Sequence, residues 1–283
     1  MGTPVPPHLI KPAAGRGVNM AVYEGTVNRR PQVMGIINAT PDSFHEASQK
    51  GTIESALQMI EDGANWIDVG GESTRPGAKP VSIEEEIERV IPIIQEVSKH
   101  GKVSVDTRNF EVAKLALAAG ATMINDVSGL RDERMVDLVI DSECEVCIMH
   151  MLGEPGNMQD NPQYEDVTTE VNGYLLSKAR DLVEMGHSMD KIHLDPGIGF
   201  GKNLEHNISL LNASNELRPY SILWGVSRKS MIGQICNQPN TQDRLAGTLA
   251  VGAKAFQYGV DIIRVHDVRE HVDLFSVLEK LEE

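Results

Sequence analysis

The chain has 283 residues, 41% hydrophobic and 24% charged, which fits one large globular unit. Its 26 Lys and Arg against 41 Asp and Glu leave a formal charge of −15, which argues against general binding to nucleic acid or anionic membranes. No apolar run is long enough to span a bilayer, the N-terminus lacks a hydrophobic signal core, and three cysteines suit a reducing compartment, so the expected location is cytoplasmic.

Residues 1–32 begin rich in Pro and Gly and read as a tail with a small hairpin around VYEGTVNRR. From 33 to 283 a unit recurs: a short β-branched run, a polar residue, a loop, then an amphipathic helix. The apolar runs are VMGIIN (33–38), NWIDVG (65–70), KVSVD (102–106), TMIND (122–126), EVCIMH (145–150), KIHLD (191–195), SILWGVS (221–227) and VDIIRV (260–265). Helical segments such as IESALQMIEDG and SIEEEIERVIPIIQEVSKHG lie between them and stop at glycines that serve as C-caps. EEEIER reads as a solvated helix face. Eight β-then-α units predict an α/β fold, a (β/α)₈ barrel forming a single domain behind the N-terminal extension. A doubly wound sheet is the alternative on pattern alone. The longest connection, MLGEPGNMQDNPQYED after the fifth run, is placed to cover a site.

Two motifs need weighing. Cys144 and Cys147 form C-x-x-C, but residues three apart on a strand face opposite ways and no second pair completes a metal site. LDPGIGFGKN resembles a phosphate cradle, yet Lys202 is followed by Asn203 rather than Ser or Thr, and the glycine spacing fits neither a P-loop nor a dinucleotide fingerprint.

In such a barrel the active site lies at the C-terminal ends of the strands. Those ends read Asn38, Asp68, Asp106, Asn125, Met149 with His150, Asp195, Ser227 to Ser230, and Arg264 with His266. Any one of them could simply open an Asx turn. A full ring of them points to a site. Carboxylates and an amide suit a flat heterocycle with adjacent N–H donors, such as a 2-aminopyrimidinone. Arg228, Lys229, Arg264 and His266 suit an anionic leaving group such as phosphate, and Asn38 offers a neutral oxygen to Mg²⁺.

MGIINATPDSF, IDVGGESTRPGA, SVDT, INDVSG, LDPGIGFGKN, GVSRKSMIG and IIRVHDV, in this order, resemble the signature blocks of the dihydropteroate synthase family over roughly 33 to 270. The resemblance implies a pterin-binding barrel, commonly homodimeric. It implies condensation of a hydroxymethyl-dihydropterin pyrophosphate with 4-aminobenzoate in folate biosynthesis, with Mg²⁺ and without nucleic acid or membrane as partner. Carried over by motif, Asp106, Asn125, Asp195 and Lys229 hold the pterin, with Met149 beside it and Asp68 in support. Asp106, Asp195 and Lys229 are then the catalytic candidates. Asn38, through Mg²⁺, with Arg264 and His266 binds the pyrophosphate. Thr74, Arg75, Pro76, Phe200 and Ser230 form the aminobenzoate pocket.

The chain departs from the family after NATPDSF, where His45, Glu46, Ala47 and Ser48 replace a glycine-bearing loop, and at Phe110 in the third loop; the departure in the first loop raises altered sulfonamide sensitivity as an expectation. A pterin-dependent methyltransferase and a non-catalytic pterin-binding homologue are the competing functions. The first needs no pyrophosphate site, and the second would have lost part of the rim. A metal-dependent hydrolase finds no H-x-H at a strand end.

Overall fold

The eight apolar runs become strands because each is covered on both faces. In the computed structural model, which describes residues 30–39, 46–73, 81–154 and 156–283 (and no side chains at 46–48), they are β1 Gln32–Asn38, β2 Trp66–Gly70, β3 Lys102–Asp106, β4 Met123–Asp126, β5 Glu145–Met149, β6 Ile192–Asp195, β7 Ser221–Gly225 and β8 Ile262–Val265. All neighbours pair in parallel and β8 returns to β1, closing a barrel in chain order and ruling out the doubly wound sheet. The hairpin anticipated at the N-terminus falls on residues 1–29, outside the described ones.

Side chains alternate across each strand. Ile67, Val69, Val103, Val105, Ile124 and Ile263 face outward into the layer shared with the helices. Met34, Trp66, Met123, Cys147, Leu223 and Ile262 point inward and form a separate buried cluster. Truncating one of these to Ala would cost about 2–5 kcal/mol. This cluster is an apolar floor. Below it, at the N-terminal ends, His193 bonds Ser221 Oγ at 2.7 Å and Glu145 Oε2 at 2.9 Å, and Trp66 Nε1 donates to Gln32 Oε1 at 2.8 Å. His193 is thus part of the barrel's polar base. Above the floor, alternation puts Asp68, Asn125, Asp195 and Arg264 into the mouth.

The helices are α1 Glu46–Glu61, α2 Ile83–Val97, α3 Phe110–Ala118, α4 Glu133–Ser142, α5 Val167–Glu184, α6 Leu204–Ala213, α7 Ser230–Ile235, α8 Leu245–Gln257 and α9 Val268–Glu282. The strict alternation read from sequence is broken once, since both α7 and α8 lie between β7 and β8. Gly63, Gly120 and Gly259 take the positive φ expected of glycines that end helices, whereas Gly101 does not, since α2 stops at Val97 with Ser98 as its C-cap. At Gly120, with φ +113°, an added Cβ would fall 2.5 Å from Ser98 Oγ. Ser82 caps α2 by accepting from the Glu85 amide at 3.1 Å.

One expectation fails in α2. Glu86 and Arg89, within EEEIER, are buried, not solvated. Their spacing of three places both on the face turned to the barrel. Arg89 Nη1 donates to Gly71 O at 2.8 Å, and Glu86 accepts from Asn109 Nδ2 at 2.6 Å. Cys144 precedes β5 while Cys147 sits in the inner floor, and both thiols are free.

Candidate active site

The mouth is organised by one guanidinium. Arg264, on β8, donates from Nε to Asp68 Oδ2 at 2.5 Å and from Nη2 to Asp106 Oδ2 at 2.6 Å. Asn125 Nδ2 donates to the same Asp68 oxygen at 3.1 Å. Four strands, β2, β3, β4 and β8, therefore present their polar ends to one another across the barrel. Asp68 is wholly buried, and its Oδ1 has no hydrogen-bond partner. Gly70 pairs with Asp106 in the register and leaves room for it: a Cβ there would sit 3.3 Å from Asp106 Cβ.

Burial on the apolar floor sets the electrostatics. It pushes the Asp106 carboxyl up to about 7; Arg264 opposes the shift, while the charges of Asp68 and Glu86 add to it. Between pH 3.8 and about 7 the folded chain keeps a proton on Asp106 that the unfolded chain has released, so this group lowers stability as pH rises through that window. Arg264 stays charged: burial disfavours the cation, but Asp68 and Asp106 together raise its pKa. Glu86 is also raised, chiefly by burial.

On the opposite side, Asp195 Oδ1 accepts from the Gly197 amide at 2.7 Å. Burial raises Asp195, against the pull of Lys229. Lys229 comes down to about 8, burial outweighing the attraction of Asp195 and Asp106. Its ammonium donates to Ile198 O and lies 4.3 Å from the Phe200 ring centroid. A Cβ at Gly225 would lie 3.4 Å from Asp195 Oδ2 and 3.9 Å from Lys229 Nζ, so both groups stand over this bare stretch of β7. Gly225 in turn pairs with Arg264. Asp106, Asn125, Asp195 and Lys229 thus share one hollow with Asp68 and Arg264.

The β6–α6 loop makes its turn on glycine: Gly197 has φ +68°, and a Cβ there would meet His150 O at 1.9 Å. Met149 is buried with Val127, Met151 and Met158, and Phe200 packs on this group. The long β5–α5 connection therefore does cover the mouth. Asn38 is the exposed last residue of β1, and Ser230 is exposed at the start of α7. His266 Nδ1 lies 3.0 Å from Ser227 Oγ.

Three readings from sequence need adjustment. Arg228 does not face a free anion site, since it pairs with Asp267, Nε donating to Oδ2 at 2.9 Å, and it bonds Gln242 at 2.5 Å. Arg264 spends Nε and Nη2 on carboxylates, so any anion it meets must share it with Asp68 and Asp106. Phe110, offered as a departure near the third loop, stacks under Arg134 at 5.0 Å instead of entering the hollow. Thr74, Arg75 and Pro76 lie outside the described residues, as do the side chains of His45, Glu46, Ala47 and Ser48.

Sequence reasoning considered Lys202 only as a phosphate-cradle lysine and missed that its amino group is buried beside His150, reaching Nδ1 at 3.1 Å. It also overlooked a clasp over the rim. Arg108 donates to both oxygens of Glu72, at 3.0 and 3.2 Å, and to Glu154 at 3.0 Å. Arg131 donates to Glu154 at 3.3 Å and to Met151 O at 2.6 Å. No spacing rule links those positions, because they lie on four different loops. Among the described residues no group of three or more His, Cys, Asp and Glu could hold a metal. Nor is any described helix long and apolar enough to cross a membrane.

Residues 34–266 match the family described as pterin binding enzyme. Dihydropteroate synthase of Escherichia coli K12 is 44% identical over 257 residues, covering 88% of this chain and 91% of that protein. Among solved structures, Burkholderia cenocepacia dihydropteroate synthase complexed with 7,8-dihydropteroate superposes with a TM-score of 0.82 at 42% identity, covering 89% of this chain and 92% of that one. The Xanthomonas albilineans enzyme with 4-aminobenzoic acid gives a TM-score of 0.83 at 39% identity, covering 90% and 94%.

The network makes a direct prediction. Asp68→Asn removes a like charge from Asp106 and leaves Arg264 to it alone, so the Asp106 pKa falls by about one unit or more. Carboxyl NMR titration measures it, and a pKa that stays near 7 or climbs contradicts the arrangement.

Proposed function

The chain belongs to the pterin-binding enzyme family, and from that premise we infer that it catalyses the dihydropteroate synthase reaction of folate biosynthesis. It joins 6-hydroxymethyl-7,8-dihydropterin pyrophosphate to 4-aminobenzoate, giving 7,8-dihydropteroate and pyrophosphate. The observation that carries the reading is the single hollow in which Asp106, Asn125, Asp195 and Lys229 meet around Arg264 and Asp68.

The pterin's adjacent ring N–H and amino donors suit carboxylates, and the Asn125 amide can both give and accept. Ring binding favours ionised Asp106, so pterin affinity weakens as pH falls below about 7. The methylene C–O bond breaks as pyrophosphate leaves, and the ring delocalises the resulting cation. Asp106 and Asp195 stabilise that cation in a water-poor, preorganised setting. The neutral aniline nitrogen then forms the C–N bond and releases its proton to solvent, with no strong base needed. Phe200 and Ser230 border the space beside Lys229 from which the amine attacks.

His266 and Asn38 stand at the rim for the departing pyrophosphate. Mg²⁺ fits here as a neutral-oxygen site: Asn38 is the exposed amide at the end of β1, and this ion keeps most of its waters and binds through few protein ligands. When bound it would offset the negative charge that develops on pyrophosphate.

The active form in this reading is a homodimer. A groove of about 340 Å³ between α6, α7 and α8 is lined by Ile208, Leu211, Ile232, Ile235 and Val251 and by no carboxylate. Ile208 is 40% and Ile235 57% exposed. Two copies each carrying −15 can approach most closely through a face free of acids, which supports a second copy as the occupant.

Pyrophosphate release from the pterin pyrophosphate tests the reaction. It should require 4-aminobenzoate and Mg²⁺ and fall about a hundredfold or more in an Asp106→Ala variant that still folds by circular dichroism; release that ignores 4-aminobenzoate, or near-normal kcat in the variant, would contradict it. Light scattering tests the assembly: the wild type should run as a dimer and Ile235→Asp as a folded monomer, whereas a monomeric wild type at micromolar concentration removes the dimer from the account.

A further inference from the structure

Four consecutive carbonyls in the β6–α6 loop each accept a hydrogen bond from a side chain. Lys229 Nζ donates to Ile198 O, Gln159 Nε2 to Gly199 O at 2.6 Å, Lys202 Nζ to Phe200 O at 2.9 Å and Tyr164 OH to Gly201 O at 2.9 Å. The loop needs these anchors. Phe200 stands between Gly199 and Gly201, at φ +83° and +66°, so neither neighbour has a side chain with which to hold it. The amide side is fixed too, with Gly199 N donating to Asn207 Oδ1 at 2.8 Å.

The four donors are not equal. Gln159 is exposed and competes with water, and Tyr164 and Lys229 are partly exposed. Lys202 is 3% exposed, so water cannot easily replace it. Its ammonium is spread over His150 Nδ1 at 3.1 Å, His150 O at 3.2 Å and Phe200 O at 2.9 Å. His150 directly follows β5 and packs edge-on against Tyr174, at 5.4 Å between centroids, and Tyr174 OH donates to Gly129 O at 2.8 Å. Lys202 therefore fastens the backbone of Phe200 to the end of β5 and, through Tyr174, to the β4 loop. The Phe200 ring in turn faces the Lys229 ammonium at 4.3 Å.

We propose that Lys202 is a positioning residue for the second substrate: it holds the Phe200 carbonyl against β5 so that the Phe200 ring and Lys229 stay in register as one wall of the aminobenzoate pocket. The proposal rests on the reaction assigned above. Lys202 touches neither substrate in it and acts through Phe200. Burial brings Lys202 down to about 7, so near neutrality it is only partly charged, but as ammonium or amine it donates to the Phe200 carbonyl; removing that buried donor leaves the carbonyl unsatisfied, so the effect is expected on the pocket that Phe200 lines rather than on the pterin acids.

Steady-state pyrophosphate release at saturating pterin pyrophosphate tests this, with 4-aminobenzoate varied, in wild type, Lys202→Met, Phe200→Ala and the double variant. In Lys202→Met the KM for 4-aminobenzoate should rise about tenfold while kcat stays within about threefold and the pterin Kd is unmoved. In the Phe200→Ala background the same change should add less than about twofold, because its effect passes through the ring already removed. An unchanged KM, an equal fall in kcat, or fold-changes that multiply would each overturn the proposal. Should Lys202→Met fail to fold by near-UV circular dichroism, Lys202→Gln, whose side chain is one atom shorter and falls short of the Phe200 carbonyl, is read by the same ratio; a KM raised with kcat kept supports the role, and an unchanged KM or a matched loss overturns it. Wild-type release independent of 4-aminobenzoate would fell the assigned reaction and this role together. Normal wild-type dependence with an indifferent variant fells the role alone.

Discussion

One half-buried guanidinium sets the geometry of the mouth. Arg264 has nowhere polar to go except toward Asp68 and Asp106, because the barrel beneath it is filled by Met34, Trp66, Met123, Cys147, Leu223 and Ile262. In so apolar a setting a lone carboxylate would protonate and a lone guanidinium would be expelled to solvent. Together they hold one another. A buried pair of this kind adds little net stability but fixes orientation, since removing one partner strands the other. The strand ends are thereby locked into a common direction, which is what recognition of a flat, multiply hydrogen-bonding ring demands.

The loops above the mouth are held by a different device. Glu72, Arg108, Glu154 and Arg131 form a chain of ion pairs across the loops that follow β2, β3, β4 and β5. These groups are partly exposed, so each pair is weak on its own and screened by salt. Their value lies in number and placement. They tie the cover over the site to the strands that present Asp106 and Asn125. The β6–α6 loop relies instead on side chains that reach its carbonyls, because its glycines leave it without grips of its own.

The barrel was legible because hydrophobic periodicity is a local property. Each of the eight apolar runs matches an observed strand to within a residue or two. The polar strand ends were legible for the same reason, since alternation fixes which face Asp68, Asn125 and Arg264 present. What alternation cannot show is where a long side chain ends. The strand ends point Arg264 at an anion and set Arg228 beside it on the rim, yet each closes on a carboxylate from a distant strand or loop. Charge alone makes Glu86 and Arg89 look solvated, although their spacing places them on the core face. For Lys202 the sequence offers only a phosphate-cradle spacing that fails; its burial follows from the fold of two loops around it, which no pattern within LDPGIGFGKN encodes.

Everything turns on whether the acids of that mouth grip one ring. Calorimetric titration of 6-hydroxymethylpterin into wild type and Asp195→Asn reads this directly, since the amide keeps the shape of the carboxylate and removes its charge and one acceptor. Binding should weaken about a hundredfold in the variant while thermal unfolding stays near that of the wild type. Affinity that differs by less than about twofold, in a folded variant, would mean that Asp195 does not face the ring and that the shared hollow is not the pterin site.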